Sequence, residues 1–219
     1  MKRLFSILIL LPSWALATVG DLTPAQMYEV VRLSRLIAFS QPNLPSQKYF
    51  EYAYGINVAS LVYGIDPVLL IAITHQETSF RENLPVGRAG EIGICQIRKA
   101  WLRNPAFIKE FGRAKVADLR NPIKSFLFAA WILRDLKALE RPSRTLPFWC
   151  YYNSTQFENR LKYFLSVNKS IVMLRRNEPL FGDRSLASVR LMAKQKKHSR
   201  LIANKGPIHR LTSAASFAD

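Results

Sequence analysis

Four times in this chain a residue able to cap a helix stands directly before proline: Thr23-Pro24, Asp66-Pro67, Asn104-Pro105 and Asn121-Pro122. The capping side chain accepts a hydrogen bond from a free N–H of the first turn. Proline loses nothing at the next position, where its missing N–H would have had no helical partner. Gln26 follows Thr23 at the spacing of a capping box. These starts predict helices over 24–39, 47–63, 67–80, 105–112, 122–139 and 157–168, with Gly64 as a left-handed cap closing the second. No alternating run of strand length stands out, so the expected fold is all-α.

One of these helices differs from the rest. Pro67 to Glu77 is apolar on nearly every face, which predicts burial at the centre of the domain. Glu77 ends it. A carboxyl there is partly desolvated and sits at the negative pole of the helix, and both effects favour its protonated form. That suits a proton donor near neutral pH. His75, two residues earlier, points to a different face and reads as structural.

Charge and leader bound the setting. The chain carries 32 Lys and Arg against 15 Asp and Glu, a net charge of +17, which points to a polyanionic partner or surface. Lys2 and Arg3, the apolar run Leu4 to Leu11 and the small-x-small site Ala15-Leu16-Ala17 have the order of a secretory signal. Export is therefore expected, with residues 1–17 as the signal peptide. It removes nucleic acid as the partner, since no helix-turn-helix, zinc or RNP-type motif argues for one. Residues 169–219 hold eleven Lys and Arg against Glu178, Asp183 and Asp219. Such a block reads as a tether to anionic wall polymer, lipid or a partner. No Cys/His cluster offers a metal site, and no cofactor motif is found.

Three segments then occur in a fixed order: Ala72-Ile-Thr-His-Gln-Glu77-Thr-Ser-Phe80, Gly90-Glu-Ile-Gly93-Ile-Cys-Gln96-Ile97, and Tyr151-Tyr152-Asn153-Ser154. Together they resemble the catalytic domain of the soluble lytic transglycosylases, the lysozyme-like glycoside hydrolase family 23. The resemblance spans roughly residues 47–168. It implies a lysozyme-like domain around the buried helix, preceded by a helical extension (18–46) and followed by a basic extension (169–219). It further implies that Glu77 is the single acid and base, that Tyr152 orients it, and that Gln96 and Asn153 line the cleft. Amide side chains can bond a neutral sugar without the desolvation cost of charge. Thr78 is expected beside them, and Gly90 and Gly93 would let backbone approach the glycan.

The chain also departs from the family pattern. Thr78 replaces a serine, Gly87 stands where many relatives have a serine facing the cleft, and Thr155 replaces a glycine. Cys95 replaces a methionine and Glu91 an alanine. Were Glu91 to project into the cleft it could activate water and turn the reaction toward hydrolysis; the alternative is a loop residue paired with Arg88 or Arg98. In the family fold the segments of Cys95 and Cys150 both border the cleft, so an exported protein could join them in a disulfide, the alternative being two buried thiols.

The resemblance implies a peptidoglycan lytic transglycosylase that leaves a 1,6-anhydro-MurNAc end. The expected address is the periplasm, with release to the medium as the alternative. Peptidoglycan strands are the expected partner, and a component of an envelope machine is compatible with the same sequence. The competing readings are a muramidase on the same fold and a wall-binding or assembly protein without turnover.

Overall fold

The computed structural model describes residues 22–140, 145–154 and 156–178. The signal segment, Thr155 and the basic stretch beyond residue 178 lie outside these. Helix α1 (Pro24–Ser40) opens on the expected capping box: Thr23 Oγ1 accepts the Gln26 N–H, and Gln26 Oε1 accepts the Thr23 N–H in return. Helix α2 (Ser46–Tyr63) closes on Gly64 at φ 64°. Helix α3 (Pro67–Thr78) is capped by Asp66, whose side chain accepts the Val68 N–H. A short antiparallel hairpin follows, β1 (Glu91–Ile92) with β2 (Ile97–Arg98), pairing Glu91 with Arg98 and Ile92 with Ile97. Beyond it come a 3-10 turn (Lys99–Arg103), α4 (Pro105–Phe111), α5 (Val116–Arg120) and α6 (Pro122–Ala138). A second 3-10 turn (Phe148–Tyr152) leads to α7, residues 157–178.

The fold is mainly α, as expected, and the buried central helix is α3. Leu70, Ile71, Ala72 and Ile73 are wholly enclosed, by Leu33 and Leu36 of α1, Ile56 of α2 and Phe126 of α6 among others. Burying four such side chains contributes on the order of 6–10 kcal/mol, which makes α3 the anchor of the core. Helices α2 and α6 come close at Gly55, where a Cβ would stand 2.7 Å from Ile123 Cδ1 and 2.9 Å from Phe126.

Three local differences from the sequence reading have physical causes. Helix α3 stops at Thr78, before the expected 80, because Ser79 (φ 51°) and Phe80 (φ 61°) both turn left-handed. Each such residue costs about 1 kcal/mol or more. Burial of Phe80, 1% exposed and stacked on Tyr52 at 5.7 Å, returns about 2–3 kcal/mol and holds the turn. Helix α7 runs on to 178 instead of stopping at 168. Leu174 is buried on its inner face, Arg175 pairs with Asp66 at 2.5 Å, and Glu178 pairs with the buried Arg32. These contacts carry the helix past the point where composition turns basic. The hairpin was not expected, because two residues per strand are too few to show an alternating pattern.

Candidate active site

Glu77 stands one residue before the end of α3, where the left-handed Ser79 and Phe80 turn the chain away, and it is only partly exposed. The core fixes the helix, and the strained turn fixes its end. Tyr163 of α7 donates its hydroxyl to Glu77 Oε1 at 2.7 Å, and the Asn153 side-chain amide also favours the charged carboxylate. Burial nevertheless wins. It raises the Glu77 carboxyl to about 7, aided by the negative charge of Glu91 and opposed by the bonds from Tyr163 and Asn153 and by the Arg98 cation. Near neutral pH the group holds a proton for much of the time and can also release it. The Tyr163 hydroxyl, itself raised well above the usual tyrosine range by burial and the neighbouring carboxylate, stays a donor.

Most of the motif residues hold this arrangement in place instead of facing the cleft. Thr78, expected at the substrate, is 1% exposed and donates to the Ile94 carbonyl at 2.7 Å, tying α3 to the loop that carries Gln96. Gly93 serves packing and not an approaching glycan: at φ 76°, a Cβ on it would lie 1.9 Å from the Leu119 carbonyl oxygen of α5. Gly90, at φ 81°, forms the turn before β1 and accepts the Lys99 N–H at 2.9 Å. Gln96 takes a left-handed backbone (φ 49°) and turns its amide onto the Gly93 carbonyl at 3.0 Å. It also borders a pocket lined by Arg98, Trp101, Tyr151 and Tyr152.

The tyrosine expected to orient the acid does something else. Tyr152 donates to the Cys95 carbonyl at 2.8 Å and so braces the loop behind the site. The hydroxyl on the acid belongs to Tyr163, which the sequence reading passed over. Its signal was nonetheless present: Tyr163, Val167 and Leu174 form the buried face of α7. A tyrosine on such a face needs a partner for its hydroxyl.

The structure keeps Cys95 and Cys150 as separate buried thiols in place of the expected bridge. Cys95 Sγ faces the Thr74 hydroxyl at 3.8 Å within the core. Burial pushes its thiol up to about 12 and that of Cys150 up to about 11, so both stay protonated and unreactive at neutral pH.

Glu91 lies near Glu77 without being free. Its Oε2 accepts the Ala89 N–H at 3.0 Å, and its Oε1 is 3.7 Å from Arg98 Nε, so the pairing with Arg98 weighed from the sequence is the one found. The carboxylate fills the volume beside Gly87, where an added Cβ would meet Glu91 Oε2 at 2.4 Å. Among the described residues no group of three or more His, Cys, Asp and Glu side chains is placed to hold a metal ion.

No curated protein matches the chain. Residues 55–160 match the family model described as the transglycosylase SLT domain, a domain of transglycosylase-type proteins acting on peptidoglycan. The matched segment contains Glu77, Glu91, Gln96, Tyr152 and Asn153 and ends three residues short of Tyr163. Its helical architecture and its three motifs agree with that match, and over residues 55–160 this chain carries a transglycosylase SLT domain of the lysozyme-like kind.

Proposed function

We propose that the protein is an exported peptidoglycan lytic transglycosylase that cleaves the β-1,4 bond between MurNAc and GlcNAc, with Glu77 acting first as acid and then as base. The observation that carries this is a carboxyl at the end of the buried helix, its Oε1 engaged by Tyr163 and its proton held near neutrality by burial. In the first step protonated Glu77 gives its proton to the glycosidic oxygen as the bond to C1 breaks. In the second, the resulting carboxylate takes the proton of the MurNAc C6 hydroxyl while that oxygen closes on C1. The proton returns to Glu77, no water is consumed, and a 1,6-anhydro end remains. Gln96 and Asn153 offer amide groups to the neutral sugar. The leader supports a periplasmic address, and the basic stretch beyond residue 178 supports contact with anionic wall or membrane surfaces or with an envelope machine.

Mass spectrometry of soluble fragments from purified peptidoglycan tests this, with the full mature protein and Glu77→Gln side by side. Fragments one water lighter than muramidase products, absent with the variant, are expected. Reducing-end fragments would mean a muramidase. No fragments from either protein, across several wall types and salt concentrations, would leave a binding or assembly role.

A further inference from the structure

Glu91, which departs from the family pattern, faces Arg98 across the hairpin: the one on β1 and the other on β2 are direct cross-strand partners. The Arg98 guanidinium does two jobs at once. Its Nε approaches Glu91 Oε1 at 3.7 Å while a terminal nitrogen donates to the Asn153 backbone carbonyl at 2.7 Å. The Asn153 side-chain amide in turn favours the charged form of Glu77. Arg98 therefore joins Glu91 of the hairpin to the backbone of Asn153 at the end of the 3-10 turn, two segments remote in sequence, and both Arg98 and Asn153 act on the acid. Glu91 is itself fixed, by the Ala89 N–H and by the space that Gly87 leaves for it.

Resting on the reading of Glu77 as the acid, we infer that Arg98 is a positioning residue which holds Asn153 against Glu77, and that Glu91 is the counter-charge which aims Arg98 and is not a general base. A planar guanidinium suits this task, because its fixed fork can serve a carboxylate and a carbonyl in one plane. With one oxygen on the Ala89 N–H and the other toward Arg98, the Glu91 carboxylate is oriented along the hairpin. The other groups interacting with the Glu77 carboxyl are Tyr163, Tyr152 and Cys95, all of which stay protonated and neutral at neutral pH. Arg98 is a cation that acts directly on this carboxyl.

The test uses the full mature protein with Arg98→Met, Asn153→Ala and the double variant, read in two independent ways. Carbon NMR of labelled glutamate carboxyls follows the Glu77 titration without any substrate. Loss of Arg98 removes a cation and loosens the Asn153 bond, and both changes favour the protonated form, so the midpoint should rise. Digestion of purified peptidoglycan should slow about tenfold in either single variant and no further in the double, because both break one path. An unchanged midpoint in a folded Arg98→Met, or effects that multiply in the double variant, would overturn the inference. Should Arg98→Met fail to fold, Arg98→Lys serves, since an ammonium reaches Glu91 or the Asn153 carbonyl but cannot span both. Its midpoint should still rise, and an unchanged one overturns the inference as well. Glu91→Gln should slow digestion by no more than Arg98→Met and leave the product end as it was. A loss of a hundredfold or more, with Arg98→Met near wild type, would make Glu91 the base. If the unmodified protein cuts nothing, the transglycosylase reading fails while the titration still decides the place of Arg98.

Discussion

The two walls of the cleft are assembled in opposite ways. One is made by α3, the hairpin loop behind it and the 3-10 turn that braces the loop, joined through backbone carbonyls: Thr78 to Ile94, Gln96 to Gly93, and Tyr152 to Cys95. The other is a single helix face that brings Tyr163 to Glu77 from eighty-six residues away. The first wall holds nearly every motif residue, yet most of those residues bond to protein. The second holds no motif, yet it touches the acid. Recurrent spacing in a sequence marks where backbone must be held, whereas a lone side chain delivered by a helix leaves no local pattern.

The largest effect should come from the residue both walls share. Glu77→Gln should lower peptidoglycan cutting on the order of a thousandfold while the protein stays folded. It should also stabilise the fold at high pH. The carboxyl is raised in the folded state, so as pH climbs from its ordinary value of 4.5 toward about 7 the unfolded chain ionises first and stability falls. Chemical denaturation at pH 8 should show the variant ahead of wild type by up to about 3 kcal/mol, a margin that closes below pH 4.

Next in size is a break confined to the motif wall. Gly93→Ala forces a Cβ onto the Leu119 carbonyl at a positive φ, and thermal melts should show a loss of about 3 kcal/mol. Tyr163→Phe attacks the other wall. Cutting should drop about tenfold, and the Glu77 midpoint should move up, because a bond favouring the charged form is gone. Activity would then persist to higher pH at a lower maximum rate. The smallest effect is expected of Tyr152→Phe: about 1 kcal/mol of stability lost with its bond to the Cys95 carbonyl, and a pH profile left where it was. Should Tyr152→Phe move the profile and Tyr163→Phe leave it alone, the contrast between the walls is inverted.

Much of the helical framework was readable because its punctuation is chemical. Thr23, Asp66, Asn104 and Asn121 each cap the helix their proline begins. The carboxyl at the centre of the site was readable too, since an apolar helix must be buried and whatever polar group ends it is carried to the edge of the core. What stayed hidden depends on distance in space. That Gly93 answers to Leu119, that Glu91 occupies the room left at Gly87, and that Cys95 faces Thr74 are facts of packing between separate segments. The length of α7 was hidden for the same reason: Asp66 and Arg32, which hold its far end, lie more than a hundred residues upstream.

That far end has a mechanical meaning. Helices α3 and α7 meet like the rails of a ladder with rungs at both ends, Glu77 with Tyr163 at one and Asp66 with Arg175 at the other, and Gln76 with Ser166 beside the first. A slip of α7 by a single residue would rotate Tyr163 by about 100° away from the acid. The buried Val167 and Leu174, with the Asp66–Arg175 pair beyond them, therefore act as a vernier, setting at a distance the angle at which the tyrosine meets Glu77. A second pair on the same stretch, Glu178 with Arg32 of α1, ties α7 to the first helix as well.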